Sequence, residues 1–139
     1  MTMFDHSSLR TIVAEDNPVN AKVLETLLKQ MGIEAEIATD GLDLLERMQG
    51  DTFDLVLTDI SMPRMDGYDA TLRIRDGAAG AHHTDIPIVA VTALGEPESY
   101  QTCRDVGMNG FLTKPIRKAN LQQVIEAALQ RQPLQPLES

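Results

Sequence analysis

Short apolar runs alternate with helix-like segments along almost the whole sequence, and this alternation constrains the fold more than any other feature. Apolar runs predict strands at residues 9–14, 34–39, 53–58, 86–91 and 110–113. Helical patterns lie between and after them, from Pro18 up to Gly32, at 41–48, around Tyr68 and Leu72, at 97–106 and at 117–130. Such alternation is typical of a parallel sheet with helices on both faces, and parallel strands, buried on both sides, are continuously apolar. The sequence therefore predicts an α/β domain.

Local signals mark the ends of the predicted elements. Asn17 and Pro18 are typical of an N-cap and a first helical residue, and Asp40 is a plausible cap for the second helix. Along the first helix, apolar residues at helical spacing predict one buried face, made of Val19, Val23, Leu27 and Met31. We expect one domain at residues 9–131, between an N-terminal tail of residues 1–8 and a flexible, Pro-rich C-terminal tail of residues 132–139.

Composition excludes several classes of protein. The formal net charge of −9 argues against direct binding of nucleic acid, which depends on Lys and Arg neutralising phosphates. No apolar run approaches the length of a membrane span, and the N-terminus MTMFDHSSLR lacks the apolar core of a signal peptide. We therefore expect no direct contact with a membrane. The lone Cys103 offers no internal disulfide, which fits a reducing compartment, and we expect a cytoplasmic protein. Cys103 lies in a predicted helix, where its simplest role is that of a buried core residue.

Functional side chains follow four of the predicted strands. Glu15 and Asp16 follow the first strand, Asp59 the third, Thr92 the fourth and Lys114 the fifth. Because parallel strands bring their carboxyl ends to one edge of a sheet, we expect these groups to converge there, at the edge where α/β proteins bind ligands.

The converging groups are suited to phosphoryl chemistry. Neighbouring carboxylates repel one another unless a cation is present, and hard oxygen ligands of this kind suit Mg²⁺. An ammonium and a hydroxyl could hold phosphoryl oxygens, and a central carboxylate could act as the nucleophile. Any single Asp at a strand end is more often a cap or turn residue, and we interpret Asp66 and Gly67 in that way. His82 and His83 lack the spacing of a metal site.

Four segments of the sequence carry a resemblance to a known family. They are VAEDNPVN, DLVLTDISMPRMDG, PIVAVTA and GFLTKPI. Together they resemble the receiver domain of two-component response regulators, and most of all the receivers of hybrid sensor histidine kinases. The resemblance covers residues 9–129. It implies a flavodoxin-like, doubly wound parallel sheet of five strands in the order 2-1-3-4-5, with five helices.

The resemblance also implies roles for the residues at the sheet edge. Asp59 would accept a phosphoryl group from a phosphohistidine on a histidine kinase or histidine phosphotransfer protein. Mg²⁺ or Mn²⁺ would be bound directly by Asp16 and Asp59, by Glu15 largely through metal-bound water, and by the backbone carbonyl of Ser61. Slow self-dephosphorylation is expected in receivers, but it sets the lifetime of the signal, and we do not expect the protein to be an enzyme.

Further implications concern the switch and its output. Thr92 and Lys114 would contact the phosphoryl oxygens, and the bond between Lys114 and Pro115 would be cis. Phe111 matches the aromatic switch position, although it lacks the hydroxyl of the commoner Tyr. The expected output is a changed surface on the fourth helix, fifth strand and fifth helix, where a downstream protein or a second receiver could dock.

Two other functions remain open at this point. A pseudo-receiver would keep the fold as an interaction module without phosphorylation, although the full set of active-site groups argues against it. A small flavodoxin-like enzyme that handles phosphate would favour a Gly-rich loop after the first strand, where this sequence has EDNPVN.

Overall fold

A computed structural model describes residues 8–93 and 95–135. Most of the expected N-terminal tail and the last four residues of the expected C-terminal tail lie outside these residues. Within them, five strands alternate with five α-helices. Their bounds are β1 Thr11–Ala14, α1 Pro18–Gln30, β2 Ala35–Ala38, α2 Gly41–Gln49, β3 Leu55–Thr58, α3 Gly67–Arg75, β4 Ile88–Thr92, α4 Pro97–Val106, β5 Gly110–Thr113 and α5 Lys118–Ala128.

The strands form one parallel sheet in the order β2-β1-β3-β4-β5, which confirms the predicted topology. Ala14, the last residue of β1, is in register with Ala38 on one side and Thr58 on the other. Thr92 at the end of β4 is in register with Thr113 at the end of β5. The carboxyl ends of the strands therefore lie along one edge, and the predicted site residues follow directly after them.

Alternate strand residues supply two separate cores. On one face of the sheet, Ile12, Val56 and Ile88 pack with the apolar sides of α2, α3 and α4. On the other face, Val13 and Val89 pack with α1 and α5. Because side chains alternate along a strand, continuously apolar strands are what a sheet covered on both faces requires.

Cys103 lies in the first of these cores. Its side chain is fully buried, which confirms its prediction as filler. Burial raises the pKa of the Cys103 thiol to about 12, so the thiol stays protonated and unreactive at neutral pH.

The predicted caps of α1 and α2 are confirmed. The Asn17 side chain accepts hydrogen bonds from the backbone N–H groups of Val19 and Asn20, at 2.9 and 3.1 Å. Asp40 accepts one from the N–H of Asp43 at 2.9 Å. These bonds satisfy backbone donors that a helix leaves without partners in its first turn.

The predicted buried face of α1 is wrong in part. Val19 is 71% exposed and Val23 is 47% exposed. The buried residues of the helix are instead Ala21, Leu24 and Leu28. The helix carries two neighbouring apolar rows, both with helical spacing, so the spacing alone could not show which row faces the sheet. An apolar strip along Val19 and Val23 is left in contact with solvent.

The loop between α3 and β4 is more ordered than its Gly- and Ala-rich sequence suggests. Ala81–His83 form a turn of 3₁₀-helix, and His83 is buried. Nε2 of His83 accepts a hydrogen bond from the Phe53 N–H at 3.0 Å, and Nδ1 lies 2.8 Å from the Ala79 carbonyl oxygen. His83 therefore ties this loop to the start of β3.

The chain after α5 is irregular, but residues 132–135 are packed against the domain. Leu134 contacts the core on the α2, α3 and α4 face. Backbone groups of the segment hydrogen-bond to α4 and to the start of β5, through Tyr100, Arg104, Met108 and Asn109. Prolines keep such a segment out of a helix, so its carbonyl groups are free to accept bonds from side chains. No helix within residues 8–93 and 95–135 is both long enough and apolar enough to cross a membrane.

Because α1 has one buried and one exposed apolar row, substitutions at two adjacent positions should change the stability by very different amounts. Leu24→Ala should lower the free energy of unfolding by about 2–5 kcal/mol, because it leaves a cavity against the sheet. The matched control Val23→Ala should change it by no more than about 0.5 kcal/mol, since that side chain is largely exposed. Urea unfolding followed by circular dichroism measures both. Equal losses for the two variants would contradict the observed orientation of the helix.

Candidate functional site

The turn from β1 into α1 holds two acidic side chains in different surroundings. Glu15 is buried and Asp16 is exposed. The Glu15 N–H donates to the Ala38 carbonyl at 3.0 Å, and the Glu15 carboxylate accepts a hydrogen bond from the Asn17 N–H at 3.2 Å. Glu15 is thereby fixed by both neighbouring elements, while the Asp16 carboxylate faces solvent.

Asp59 follows β3 and is held by the backbone on both sides. Its N–H donates to the Ala14 carbonyl at 2.9 Å, which continues the pairing with β1. Its Oδ1 accepts from the Ile60 N–H at 2.7 Å. Asp59 is only 8% exposed, so little of its carboxylate at the edge of the sheet meets solvent.

Lys114 brings a positive charge to these carboxylates from β5. Its Nζ lies 2.8 Å from Glu15 Oε1 and 3.2 Å from Asp59 Oδ2. Carboxylate oxygens of Glu15, Asp16 and Asp59 all lie within 4.8 Å of one another. The Lys114 N–H donates to the Thr92 carbonyl at 2.8 Å, and the bond between Lys114 and Pro115 is cis. The structure therefore brings together the groups that the sequence placed after separate strands.

The electrostatics of the cluster agree with its geometry. Burial raises the pKa of Glu15, and the nearby Asp59 adds to this effect, while Lys114 and the Asn17 N–H oppose it. Burial lowers the pKa of Lys114, but its bonds to Glu15 and Asp59 outweigh that effect and leave the pKa above its usual value. Lys114 is therefore an ammonium group at neutral pH, facing an excess of negative charge.

The donor set fits a hard divalent cation. Three carboxylates stand within reach of a single ion, and Asp16 and Ser61 line one open cleft beside them. Mg²⁺ prefers oxygen ligands and keeps several of its waters, so an exposed carboxylate beside two buried ones suits it.

Two further predicted residues lie on β4 and β5. Thr92 is buried at the end of β4. Phe111 is half-buried on β5, and its ring meets that of Tyr100 in an edge-to-face contact, with centroids 5.3 Å apart and planes at 75°. Phe111 thus connects β5, the strand directly before Lys114, with α4.

The loop after Asp59 explains the Asp-Gly pair in the sequence. Asp66 caps α3 by accepting a hydrogen bond from the Asp69 N–H at 2.8 Å, as predicted. A Cβ at Gly67 would lie 2.3 Å from the Asp59 carbonyl oxygen, so a side chain cannot be accommodated without movement. Glycine is needed here because two stretches of backbone approach closely, and one of them carries Asp59.

Sequence reasoning missed a second restraint on the same loop. Arg64 has a positive φ of 64° and donates to both Asp40 oxygens, through Nε at 2.6 Å and through Nη2 at 3.1 Å. The Arg64 guanidinium holds the pKa of Asp40 below its usual range. The sequence predicted Asp40 only as a cap, and nothing in it pointed to a partner 24 positions away.

Comparison with known proteins agrees with this architecture. Residues 11–126 match the family model described as the response regulator receiver domain. The chain belongs to this family. Its fold, a five-stranded parallel sheet in the order 2-1-3-4-5, is that of solved receiver domains.

Receivers within sensor kinases are among its relatives. The sensor histidine kinase GacS of Pseudomonas protegens is 38% identical over 116 residues, which cover 84% of this chain and 13% of the relative. RcsC of Escherichia coli is 32% identical over 127 residues, 91% of this chain and 13% of the relative. The chain thus spans about an eighth of the length of these relatives.

A solved receiver has a closely similar structure. The receiver domain of sensor histidine kinase PA1611 from Pseudomonas aeruginosa is 32% identical, with a TM-score of 0.78. The match covers 88% of this chain and 98% of that domain. That structure has a magnesium ion coordinated in its active site cleft.

Substitution of Gly67 tests the close backbone approach at Asp59. Gly67→Ala should lower the free energy of unfolding by about 1–3 kcal/mol, because the added methyl group overlaps the Asp59 carbonyl. Gly50→Ala is the matched control, since a Cβ there has nothing within 4 Å and φ is −88°. That change should be neutral or stabilising by up to about 1 kcal/mol. Chemical denaturation measures both, and an unaffected Gly67→Ala protein would contradict the described approach.

Proposed function

We propose that this receiver takes a phosphoryl group from a phosphohistidine onto Asp59 and changes its protein contacts in response. The observation that carries the proposal is the position of Asp59. It is fixed by backbone bonds, contacts the Lys114 ammonium at 3.2 Å, and shares its surroundings with Glu15 and Asp16. The phosphoryl donor would be a histidine kinase or a histidine phosphotransfer protein.

In the proposed transfer, a carboxylate oxygen of Asp59 attacks phosphorus. An O–P bond forms, the N–P bond of the phosphohistidine breaks, and its electron pair returns to the imidazole nitrogen, which takes a proton from water. Phosphoryl transfer depends mostly on positioning and on neutralising charge at the equatorial oxygens. Lys114 is placed to neutralise part of that charge, and we assign the Thr92 hydroxyl to another phosphoryl oxygen.

A divalent cation fits the same proposal. Glu15, Asp16, Asp59 and the Ser61 backbone carbonyl would hold Mg²⁺, or Mn²⁺ in its place. When bound, it supplies positive charge to the transferring group and to the crowded carboxylates. The magnesium in the related Pseudomonas aeruginosa receiver supports this assignment.

The proposed output is a change in the surface of α4, β5 and α5. An aspartyl-phosphate adds roughly one negative charge to the pocket, by analogy with other phosphorylated side chains. Lys114 and Thr92 would then turn toward the phosphoryl group, and Phe111 would move into the space beside Thr92. A downstream protein or a second receiver would bind the altered surface.

Receivers are regulatory phospho-acceptors, and the absence of a Gly-rich phosphate loop after β1 also disfavours a phosphate-handling enzyme.

Phosphorylation should be confined to Asp59. Incubation with acetyl phosphate and Mg²⁺ should add one phosphoryl group, seen as a mass increase of the intact protein. Asp59→Asn should reduce this labelling to background, because an amide is a poor nucleophile. The matched control Asp69→Asn alters an exposed aspartate on α3 and should label normally. Full labelling of Asp59→Asn would show that another residue accepts phosphate, and failure to label the unmodified chain would favour a pseudo-receiver.

Mg²⁺ should stabilise the fold even without phosphate, because it relieves repulsion among Glu15, Asp16 and Asp59. At about ten times the dissociation constant, binding stabilises the folded state by about 1.4 kcal/mol. Asp16→Ala should lose most of this effect, while Glu34→Ala, which removes an exposed acid outside the cluster, should keep it. Melting temperatures across a Mg²⁺ titration provide the measurement. An identical shift in Asp16→Ala would place the metal elsewhere.

A further inference from the structure

The segment Gln132 to Gln135, which we call the strap, crosses from the end of α5 to α4. Among the described residues, its backbone makes four hydrogen bonds with the domain. Asn109 Nδ2 donates to the Gln132 carbonyl at 2.9 Å, and Arg104 Nε donates to the Leu134 carbonyl at 3.1 Å. The Leu134 N–H donates to the Met108 carbonyl at 3.3 Å, and the Tyr100 hydroxyl donates to the Gln135 carbonyl at 2.7 Å.

Tyr100 contacts the strap and the switch position at the same time. Its hydroxyl holds Gln135, while its ring meets the edge of Phe111 at a centroid distance of 5.3 Å. Phe111 lies on β5, three residues before Lys114. A short series of direct contacts therefore leads from the strap through Tyr100 and Phe111 to the strand that carries the pocket lysine.

The strap also lies on the surface of α4, β5 and α5, which we propose as the site of binding to a partner protein. β5 is an edge strand of the sheet, and the strap is hydrogen-bonded to the residues just before it, Met108 and Asn109. Leu134 adds an apolar contact with the core beneath α4. A partner that approached α4 and β5 would meet the strap there.

We propose that the strap is an intramolecular brake on the receiver: it favours the observed position of Phe111 and is released when Asp59 is phosphorylated. The inference rests on the proposed function, since it concerns regulation of the same site. A contact that is made in only one of two conformations favours that conformation. Docking of the strap and phosphorylation of Asp59 must then change each other's equilibrium constants by the same factor. If docking of the strap opposes phosphorylation, phosphorylation must weaken docking equally.

The expected size follows from the contacts involved. Loss of one hydrogen bond changes an equilibrium constant by about two- to tenfold, and loss of an edge-to-face ring pair changes it by a similar factor. Tyr100→Phe removes the hydroxyl and keeps the ring, so it isolates the bond to Gln135. Leu134→Ser removes the apolar contact of the strap and leaves Tyr100 intact.

The test uses the whole 139-residue chain with Mg²⁺ and beryllofluoride, which mimics the phosphoryl group on aspartate. Tyr100→Phe and Leu134→Ser should each bind beryllofluoride about two- to tenfold more tightly, as measured by calorimetry. Gln101→Ala is the matched control, because this side chain on α4 bonds only to Asp105 of the same helix among the hydrogen bonds of the described residues, and its affinity should not change. In the unmodified chain, saturating beryllofluoride should speed amide hydrogen exchange at position 134, because it weakens docking of the strap.

The possible outcomes separate failure of the brake from failure of the proposed phosphorylation of Asp59. Unchanged affinity in both strap variants, or unchanged exchange at position 134 on saturation, would overturn the brake while leaving phosphorylation of Asp59 intact. Tighter binding that persists at full size when Phe111→Leu is combined with Tyr100→Phe would also overturn it, because the coupling would then bypass Phe111. Absence of beryllofluoride binding to the unmodified chain would overturn the proposed function and the brake together.

Discussion

The contact of the Lys114 ammonium with Glu15 and Asp59 is the interaction on which the site depends. Each carboxylate alone can be placed by its strand, but three of them within 4.8 Å repel one another. Lys114 offsets part of that repulsion at 2.8 and 3.2 Å. It can do so only because β5 is parallel to β4 and ends at the same edge. The charge balance of the pocket therefore depends on the parallel pairing of β5 with β4.

The surroundings of Asp59 differ on the two sides of the pocket. One side includes backbone bonds to Asp59, the close approach of Gly67, and the Arg64 pair with Asp40 that ties the loop to α2. On the other side of the pocket, Phe111 is half-buried and meets Tyr100 by a ring edge. A change of charge at Asp59 therefore meets rigid structure toward α2 and α3. Toward α4 and β5, it meets Lys114 and the ring contact of Phe111 with Tyr100 instead.

Much of this could be predicted from the sequence, for a physical reason. Buried parallel strands leave continuously apolar runs, and caps use specific side chains, so α4 and β5 match their predicted bounds and Asn17 and Asp40 cap as predicted. The convergence at the sheet edge follows from parallel topology alone. Sequence did not show which apolar row of α1 is buried, because both rows have helical spacing. Contacts between distant irregular segments, such as Arg64 with Asp40, leave no periodic pattern at all.

The distribution of the site along the chain has a consequence for biosynthesis. Glu15 and Lys114, whose side chains meet at 2.8 Å, are 99 positions apart. At a synthesis rate of about 5–20 residues per second, the lysine is added roughly 5–20 seconds after the glutamate. Until β5 has left the ribosome and joined the edge of the sheet, the nascent chain holds the carboxylates without their ammonium. The three carboxylates therefore gain their neutralising ammonium only after β5 has been synthesised and has joined the sheet.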